Sequence, residues 1–408
     1  MKKFWALLTI AVLLFTQEKE SLAADWNGGL ALRQNALLMQ WPSLPSPLAP
    51  PARSFGVSGT ALRGWTGVKK GSFRVSLALE SRASFSSTGG SFTKGESIFG
   101  KGSPLERFYW TSFQIDETAS SLRTRVENLS VTWNGPLDIE AGRQPLTLGT
   151  SHFVSVLDII APFAPGDLDA TYKPGVDAIR IRGGLGAAGE AEIIGVGARP
   201  WSDSALLGRL RSSVRGMDIE GVGGKFRNRG FGGIGWEGEV KSAGIWGEMA
   251  IFERKSTREK FYGGWKKAAI SGIAGIDLFF PHNTRIGGAF LHQDFGVRHS
   301  SDLATVFMGA PFRERWLFLG SAQYGLVTVH RQLHPLVNVD LAGIVNLIDS
   351  STLWQPRLTL SVSDNADLSI YSWITTGEKP RVSGSAVETR SEFGMLPYGA
   401  GLYARWFF

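Results

Sequence analysis

Ser151, His152 and Asp158 bring a nucleophile, a base and an orienting carboxylate into one short stretch of the chain. Those residue types could perform acyl transfer if the three groups met in line. Adjacent residues of an extended chain point to opposite sides, so Ser151 and His152 do not converge by spacing. His292, His299, His330 and His334 show no H-E-x-x-H or other metal-ligand spacing, and a lone loop histidine is ordinarily a solvated one. Cysteine is absent, which removes disulfides, thiolate metal sites and covalently attached haem. No catalytic residue, metal or cofactor is expected, and the chain reads as a non-enzyme.

The elements that would position any site are strands. Phe73, Val75, Leu77 and Leu79 alternate with Arg74, Ser76, Ala78, Glu80 and Arg82. Val337, Val339 and Leu341 alternate with Asn338 and Asp340, and Leu358, Leu360 and Val362 with Arg357, Thr359, Ser361 and Ser363. A period of two gives one face to lipid and the other to water. A soluble sandwich would alternate in the same way. The recurrence along the whole chain, in strands of about 9–11 residues, favours a membrane barrel.

A ladder of sixteen strands can be drawn, near 26–40, 55–66, 72–84, 119–133, 136–148, 175–185, 188–199 and 230–240, then 243–254, 265–280, 284–296, 313–331, 335–349, 352–363, 367–377 and 399–408. Short turns such as Lys69-Lys70-Gly71, Asn134-Gly135-Pro136 and Pro281-His282-Asn283 alternate with long loops near 41–54, 85–118, 149–174, 200–229, 255–264, 297–312 and 378–398. That asymmetry belongs to outer-membrane barrels. The weak region is 205–232. A hairpin hidden there, around Met217–Phe226, makes eighteen strands the alternative. The fold class is an all-β transmembrane antiparallel barrel, wide enough to leave an aqueous channel. Leu129, Val131 and Trp133 are expected to face lipid. Arg123 and Arg125 share their parity, so either a bulge switches the face or the two arginines stand above the hydrocarbon beside lipopolysaccharide.

The ends agree with export. Lys2 and Lys3 precede an apolar run from Phe4 to Phe15, too short to span a bilayer as a helix, and Ser21-Leu22-Ala23-Ala24 offers small residues for cleavage. Residues 1–24 read as a signal peptide and 25–408 as one barrel domain. At the other end Leu402, Ala404, Trp406 and Phe408 share a strand face. An apolar strand ending in an aromatic resembles the closing strand that the barrel assembly machinery reads, so Leu402, Trp406 and Phe408 are expected to form the assembly signal. The 51 glycines and 14 tryptophans suit turns and bilayer interfaces. A mean hydropathy of −0.02 fits strands in which alternate residues face lipid. The formal charge of +7 is a mild excess and implies no nucleic-acid partner.

One segment stands out. Gly142-Arg143-Gln144 is followed by Asp158, Pro162-Phe163-Ala164-Pro165, Asp167, Asp169, Lys173-Pro174-Gly175, Val176-Asp177-Ala178 and Arg180. With the later run Pro356–Leu360 and Ser363-Asp364-Asn365, it resembles the alginate-export-like outer-membrane porins of Gram-negative bacteria, over roughly residues 137–182 and 350–408. The resemblance implies a loop folded into the pore, with Asp158, Asp167, Asp169 and Lys173 near a constriction and Arg143, Asp177, Arg180 and Arg182 beside it. The bland reading is that the aspartates cap turns next to proline and glycine. Arg33, Arg74, Glu80, Glu237, Glu239, Asp340, Arg357 and Arg405 are candidate bore-lining residues. Their near balance of sign argues against a dedicated polyanion channel. The expected function is passive diffusion of small hydrophilic or charged solutes through the bacterial outer membrane, in contact with lipid and lipopolysaccharide. The alternative is a barrel sheathing a periplasmic partner, a cytochrome or a polymer-export complex.

Overall fold

The computed structural model describes residues 25–46, 52–88, 107, 108, 111–151, 153–165, 171–254, 268–309, 312, 317–383 and 386–408. The signal segment 1–24, His152, Asp167 and Asp169 lie outside the described residues. The first strands are β1 (Asp25–Gln40), β2 (Ser54–Lys70), β3 (Phe73–Ser86), the short β4 (Thr111–Asp116), β5 (Ser120–Asn134) and β6 (Asp138–Gln144). Next come β7 (Val176–Leu185), β8 (Gly189–Val196), β9 (Ala205–Val214), β10 (Met217–Phe226), β11 (Arg229–Val240), β12 (Ala243–Glu253), β13 (Ala268–Phe280) and β14 (Thr284–Gln293). The chain continues with β15 (Gln323–His334), β16 (Val337–Asn346), β17 (Thr352–Ser363), β18 (Ala366–Thr376), the small hairpin β19 (Arg381–Ser383) and β20 (Ala386–Glu388), and β21 (Tyr398–Phe407).

Among the described residues, eighteen of these strands form a closed antiparallel ring. β4 pairs with residues 121–125 of β5, beyond the stretch that pairs with β6, and β19–β20 form a separate hairpin. The ring closes where β21 pairs with β1, Phe407 opposite Ala31 and Tyr398 opposite Gln40. Phe408 donates its amide to the Leu30 carbonyl at 2.8 Å and accepts from the Leu30 amide at 3.0 Å. A closed ring leaves no strand edge, which is what a β-structure in lipid requires.

The faces follow the alternation. Phe73, Val75, Leu129, Val131, Leu402 and Phe408 are exposed on the outside, while Ala78, Ser130 and Tyr403 are buried on the inside. Trp26, Phe73, Phe279, Phe280 and Phe408 gather at the short-turn end, as an interfacial aromatic belt does. Arg123 and Arg125 resolve through a bulge. Ala78 pairs with Asn128 and Leu79 with Val126, so Glu127 is an extra residue and parity reverses beyond it. Both arginines then lie opposite Arg82 and Glu80 of the inner face, not above the hydrocarbon.

The count of sixteen is corrected to eighteen. The interval 200–229 is not a loop: it holds β9 and β10, paired from Met217↔Val214 to Phe226↔Ala205. Their alternation is blurred for a physical reason. Leu207 and Val222 are apolar but buried on the inner face, and Gly221 and Gly223 occupy outward positions where an apolar side chain would have marked a strand.

The inside is less polar than alternation alone suggests. Leu146, Leu148, Leu157 and Ile160, from the connection between β6 and β7, pack with Val176, Ile194, Leu207, Val222, Phe231 and Phe252 of the inner wall. A second apolar cluster joins Trp246, Ile273, Tyr324, Ile344, Leu353, Trp373 and Phe393. The strands are therefore apolar on both faces over part of their length, the outer face for lipid and the inner for loops.

Candidate functional site in the barrel interior

The connection 145–175 is held to the inner wall by carboxylates. Glu248 of β12 accepts from the amides of Thr150 and Ser151 at 2.7 and 2.6 Å with one oxygen. With the other it accepts from Ser155 Oγ at 2.8 Å and from the amides of Val156 and Leu157 at 2.8 and 3.2 Å. Glu220 of β10 accepts from the Gly149 amide at 2.9 Å, and Arg209 of β9 donates to the Thr147 carbonyl at 3.1 Å. Two glycines permit this. Gly149 has φ +85°, and a Cβ there would come 2.4 Å from Glu248 Oε1. A Cβ at Gly233 would come 2.2 Å from Leu157 Cδ2. Charged acceptors for several backbone amides make strong, directional anchors.

The sequence-derived residues fall mostly into ion pairs. Asp158 and Lys173, both in this connection, pair with one another, and Lys173 also donates to Thr147 Oγ1 at 3.2 Å. Burial pushes the Asp158 carboxyl above its usual range, against the pull of Lys173, and pushes the Lys173 ammonium down, against the pull of Asp158. Arg143 is fully buried and lies 3.7 Å from Asp177, its cross-strand neighbour. Asp177 accepts from the amides of Arg107 and Phe108 at 2.7 and 2.8 Å. Arg180 donates to Glu192 at 2.6 Å and lies 3.8 Å from Glu140, and Arg182 lies 3.8 Å from Glu140. Glu192 also pairs with Arg209.

Arg33 and Arg82 pair with Glu80, and Arg63 lies 3.9 Å from it. The guanidiniums of Arg33 and Arg63 lie 5.0 and 4.4 Å from the ring centre of Tyr172, a cation–π arrangement that ties the far end of the connection to β1 and β2. Arg405 pairs with Asp367 at 2.7 Å. Arg74 and Glu239 are exposed at the short-turn end, and Glu237 is half-buried beside them in level. Ser151 Oγ donates to the Val154 carbonyl at 2.5 Å, so its hydroxyl serves the turn.

Asp340 and Arg357 belong to the opposite wall. Arg285, His330, Asp340, Arg357 and Tyr371 are successive cross-strand neighbours on β14 to β18. His330 Nδ1 and Asp340 Oδ1 are 2.7 Å apart, so the histidine of the strand expected near 313–331 has a cross-strand partner. A cavity of about 550 Å³ separates this row from residues 147–165 of the connection.

Sequence reasoning missed Glu248, Glu220, Tyr172, Gln355 and Tyr371. Glu248 had a signal. It shares a face with the apolar Trp246, Ala250 and Phe252, where a lone carboxylate demands donors.

No family model matches the chain, and no curated protein matches it. Solved structures match over nearly the full length. OccAB1 of Acinetobacter baumannii has 10% identity and a TM-score of 0.56, over 96% of this chain and 98% of that one. OccAB4 of the same organism has 9% and 0.55, over 95% and 99%. OccK11 of Pseudomonas aeruginosa has 10% and 0.54, over 94% and 96%. The fold is shared with them. With its closed ring and apolar exterior, the chain is a bacterial outer-membrane β-barrel. The finer resemblance to alginate-export-like porins is not confirmed by these structures.

Proposed function

We propose that the barrel is a channel for passive passage of small hydrophilic solutes, not an enzyme, and that residues 145–175 narrow its bore. The observation that carries this is the docking of the connection on Glu220 and Glu248, with the cavity of about 550 Å³ on its other side. Solutes then pass between the connection and the wall of β13 to β18. The arginines near the connection act as its anchors, because Glu80, Glu140, Glu192 and Asp177 already neutralise them. The charges that act on a solute are those facing the cavity, where a narrow low-dielectric passage strengthens them. A sheath around a periplasmic protein would need the lumen that the connection takes up.

Single-channel recording in planar bilayers tests this. The intact protein should give discrete conductance steps, and deleting residues 155–168 should raise them and weaken ion selectivity. Unchanged steps after the deletion would put the connection outside the passage. We also propose that Leu402, Trp406 and Phe408 are read by the assembly machinery. Replacing Phe408 by a charged residue should then lower the amount of heat-modifiable protein in the outer membrane without reducing secretion.

A further inference from the structure

Three polar side chains on β17 and β18 stand without the ion pairs that hold Arg33, Arg143, Arg180 and Arg209 elsewhere on the inner wall. Tyr371 is 4% exposed, and its buried hydroxyl has no hydrogen-bond partner among the described residues. The same holds for the buried Nε2 of Gln355. Gln355 and Arg357 stand two apart on β17 and so share a face, and Tyr371 lies directly opposite Arg357 on β18. Gly401, opposite Tyr371 on the next strand, keeps room for the phenol: a Cβ there would come 2.8 Å from its oxygen. Arg357 has no carboxylate within ion-pair distance among the described residues, in contrast to Arg33, Arg143, Arg180 and Arg209. Three donors thus converge at the edge of the cavity without an acceptor. A buried donor left unmade is costly, so a site of this kind is completed by something that enters it.

The acceptor it lacks is an oxyanion. A plain carboxylate would meet an obstacle, because Asp340 lies directly opposite Arg357, one strand spacing away. One Asp340 oxygen is engaged by His330, and the carboxylate as a whole remains nearly half exposed to the cavity. A negative group beside the three donors is therefore best matched by a solute that carries a positive group next to its carboxylate. Phe153 and Phe163 of the connection, partly exposed and lining the same cavity, offer an apolar surface for the rest of such a molecule.

We propose that Gln355, Arg357, Tyr371 and Asp340 form a binding site for a small zwitterion with an apolar body. Its carboxylate is taken by Gln355, Arg357 and Tyr371, its ammonium by Asp340, and its body by Phe153 and Phe163. The proposal rests on the channel reading and adds to it the class of solute and the wall that reads it.

The test is block of ion current through single channels by three solutes with one body: phenylalanine, 3-phenylpropanoate, which lacks the ammonium, and phenethylamine, which lacks the carboxylate. Phenylalanine should half-block at a concentration at least about fivefold below either of the others. Tyr371→Phe removes only a hydroxyl and should raise the half-blocking concentration of phenylalanine and 3-phenylpropanoate roughly threefold to tenfold, and leave phenethylamine unchanged. Asp340→Asn should abolish the preference for phenylalanine over 3-phenylpropanoate. Equal block by phenylalanine and 3-phenylpropanoate in the unaltered protein would overturn the zwitterion assignment. Unchanged block in Tyr371→Phe, in protein that runs as a folded heat-modifiable band, would overturn the site. Current that none of the three solutes blocks defeats this proposal alone, whereas the absence of any current defeats the channel reading beneath it.

Discussion

The inner wall has two halves that treat charge differently. On β1 to β12 nearly every named arginine meets a carboxylate, and two further carboxylates, Glu220 and Glu248, are occupied by amides of the connection. On β17 and β18 an arginine, an amide and a phenol border the cavity without a partner among the described residues. The comparison separates two uses of the same residue types. Paired charges fix where the connection lies, and their fields largely cancel. On the channel reading proposed above, the unpaired donors are the ones left to act on a crossing solute. Counting arginines on the inner face would then rank the other half first.

The largest test of the docked half is Glu248→Ala. It leaves five donors without an acceptor, each at roughly 1–3 kcal/mol if it stays buried, so the connection should release. Single-channel conductance should rise at least about twofold, in the way that deletion of 155–168 does. A conductance equal to that of the unaltered protein would erase the distinction between the halves.

The buried pair comes next. Lys173→Met leaves Asp158 buried without its cation, which typically costs about 3–5 kcal/mol, and should appear as faster protease cleavage within 145–175. Lys173→Met combined with Asp158→Leu should restore much of the resistance, since an apolar pair avoids the desolvation cost. No recovery would mean that the pair does more than hold the connection.

Inserting one residue between Arg125 and Val126 sharpens the comparison at the level of the sheet. With the bulge at Glu127 kept, the added residue turns Arg123 and Arg125 to lipid, at roughly 2–4 kcal/mol for a cation at the midplane and about 0–1 near the interface. The urea midpoint of the folded band should fall, and Arg125, nearer the bulge, should account for most of it when the two are reverted singly to Leu. An unshifted midpoint would place this part of β5 outside the hydrocarbon.

The smallest expected effect is a pH dependence at the long-loop end. Glu392 is buried and accepts from the Gly320 amide at 2.7 Å, the Tyr324 hydroxyl and Asn346 Nδ2 at 2.9 Å. Burial pushes it up to about 7, with Asp349 adding to the push and the hydrogen bonds opposing it. Docked, residues 391–394 hold a proton that they give up when released, so docking is strongest below the ordinary glutamate range and weakens as pH rises through about 7. Limited proteolysis of 377–397 should therefore be faster at about pH 8 than at about pH 5.5, and Glu392→Gln should remove the difference. Cleavage that is faster in acid would reverse the assignment.

Much of the barrel was legible because lipid imposes a period of two wherever a strand crosses it. Strands β3, β5, β16 and β17 announce themselves in this way. The pattern failed where another demand took over a face. On β9 and β10 the connection claimed Leu207 and Val222, and glycine replaced outward apolar residues. At Glu127 one extra residue inverted a parity that the sequence could only pose as a choice. The site was less legible. Arg143, Asp158, Lys173, Asp177 and Arg180 were found as a charge-rich stretch, but Glu140 and Glu192, the partners of Arg180, sit on neighbouring strands, and nothing local says which charges cancel. Tyr371 and Gln355 look like ordinary strand residues. They matter through a missing partner, and an absence across the sheet leaves no mark in the chain.

The seam between β1 and β21 has a consequence for how the ring forms. All other neighbours in it are consecutive barrel strands, joined by local hairpins or single connections, and can pair as the chain is laid down. The Leu30–Phe408 hydrogen bonds join residues from nearly opposite ends of the described chain. The contact order of the whole ring is thus concentrated in one pairing. Until that pairing is made, both edges of the curved sheet expose bare backbone groups, and an open sheet of eighteen strands joined by seventeen pairings is no stable resting point in a bilayer. The topology predicts a single late closure, and the rate of that step would set the time during which the unfinished sheet is open to pairing with another copy.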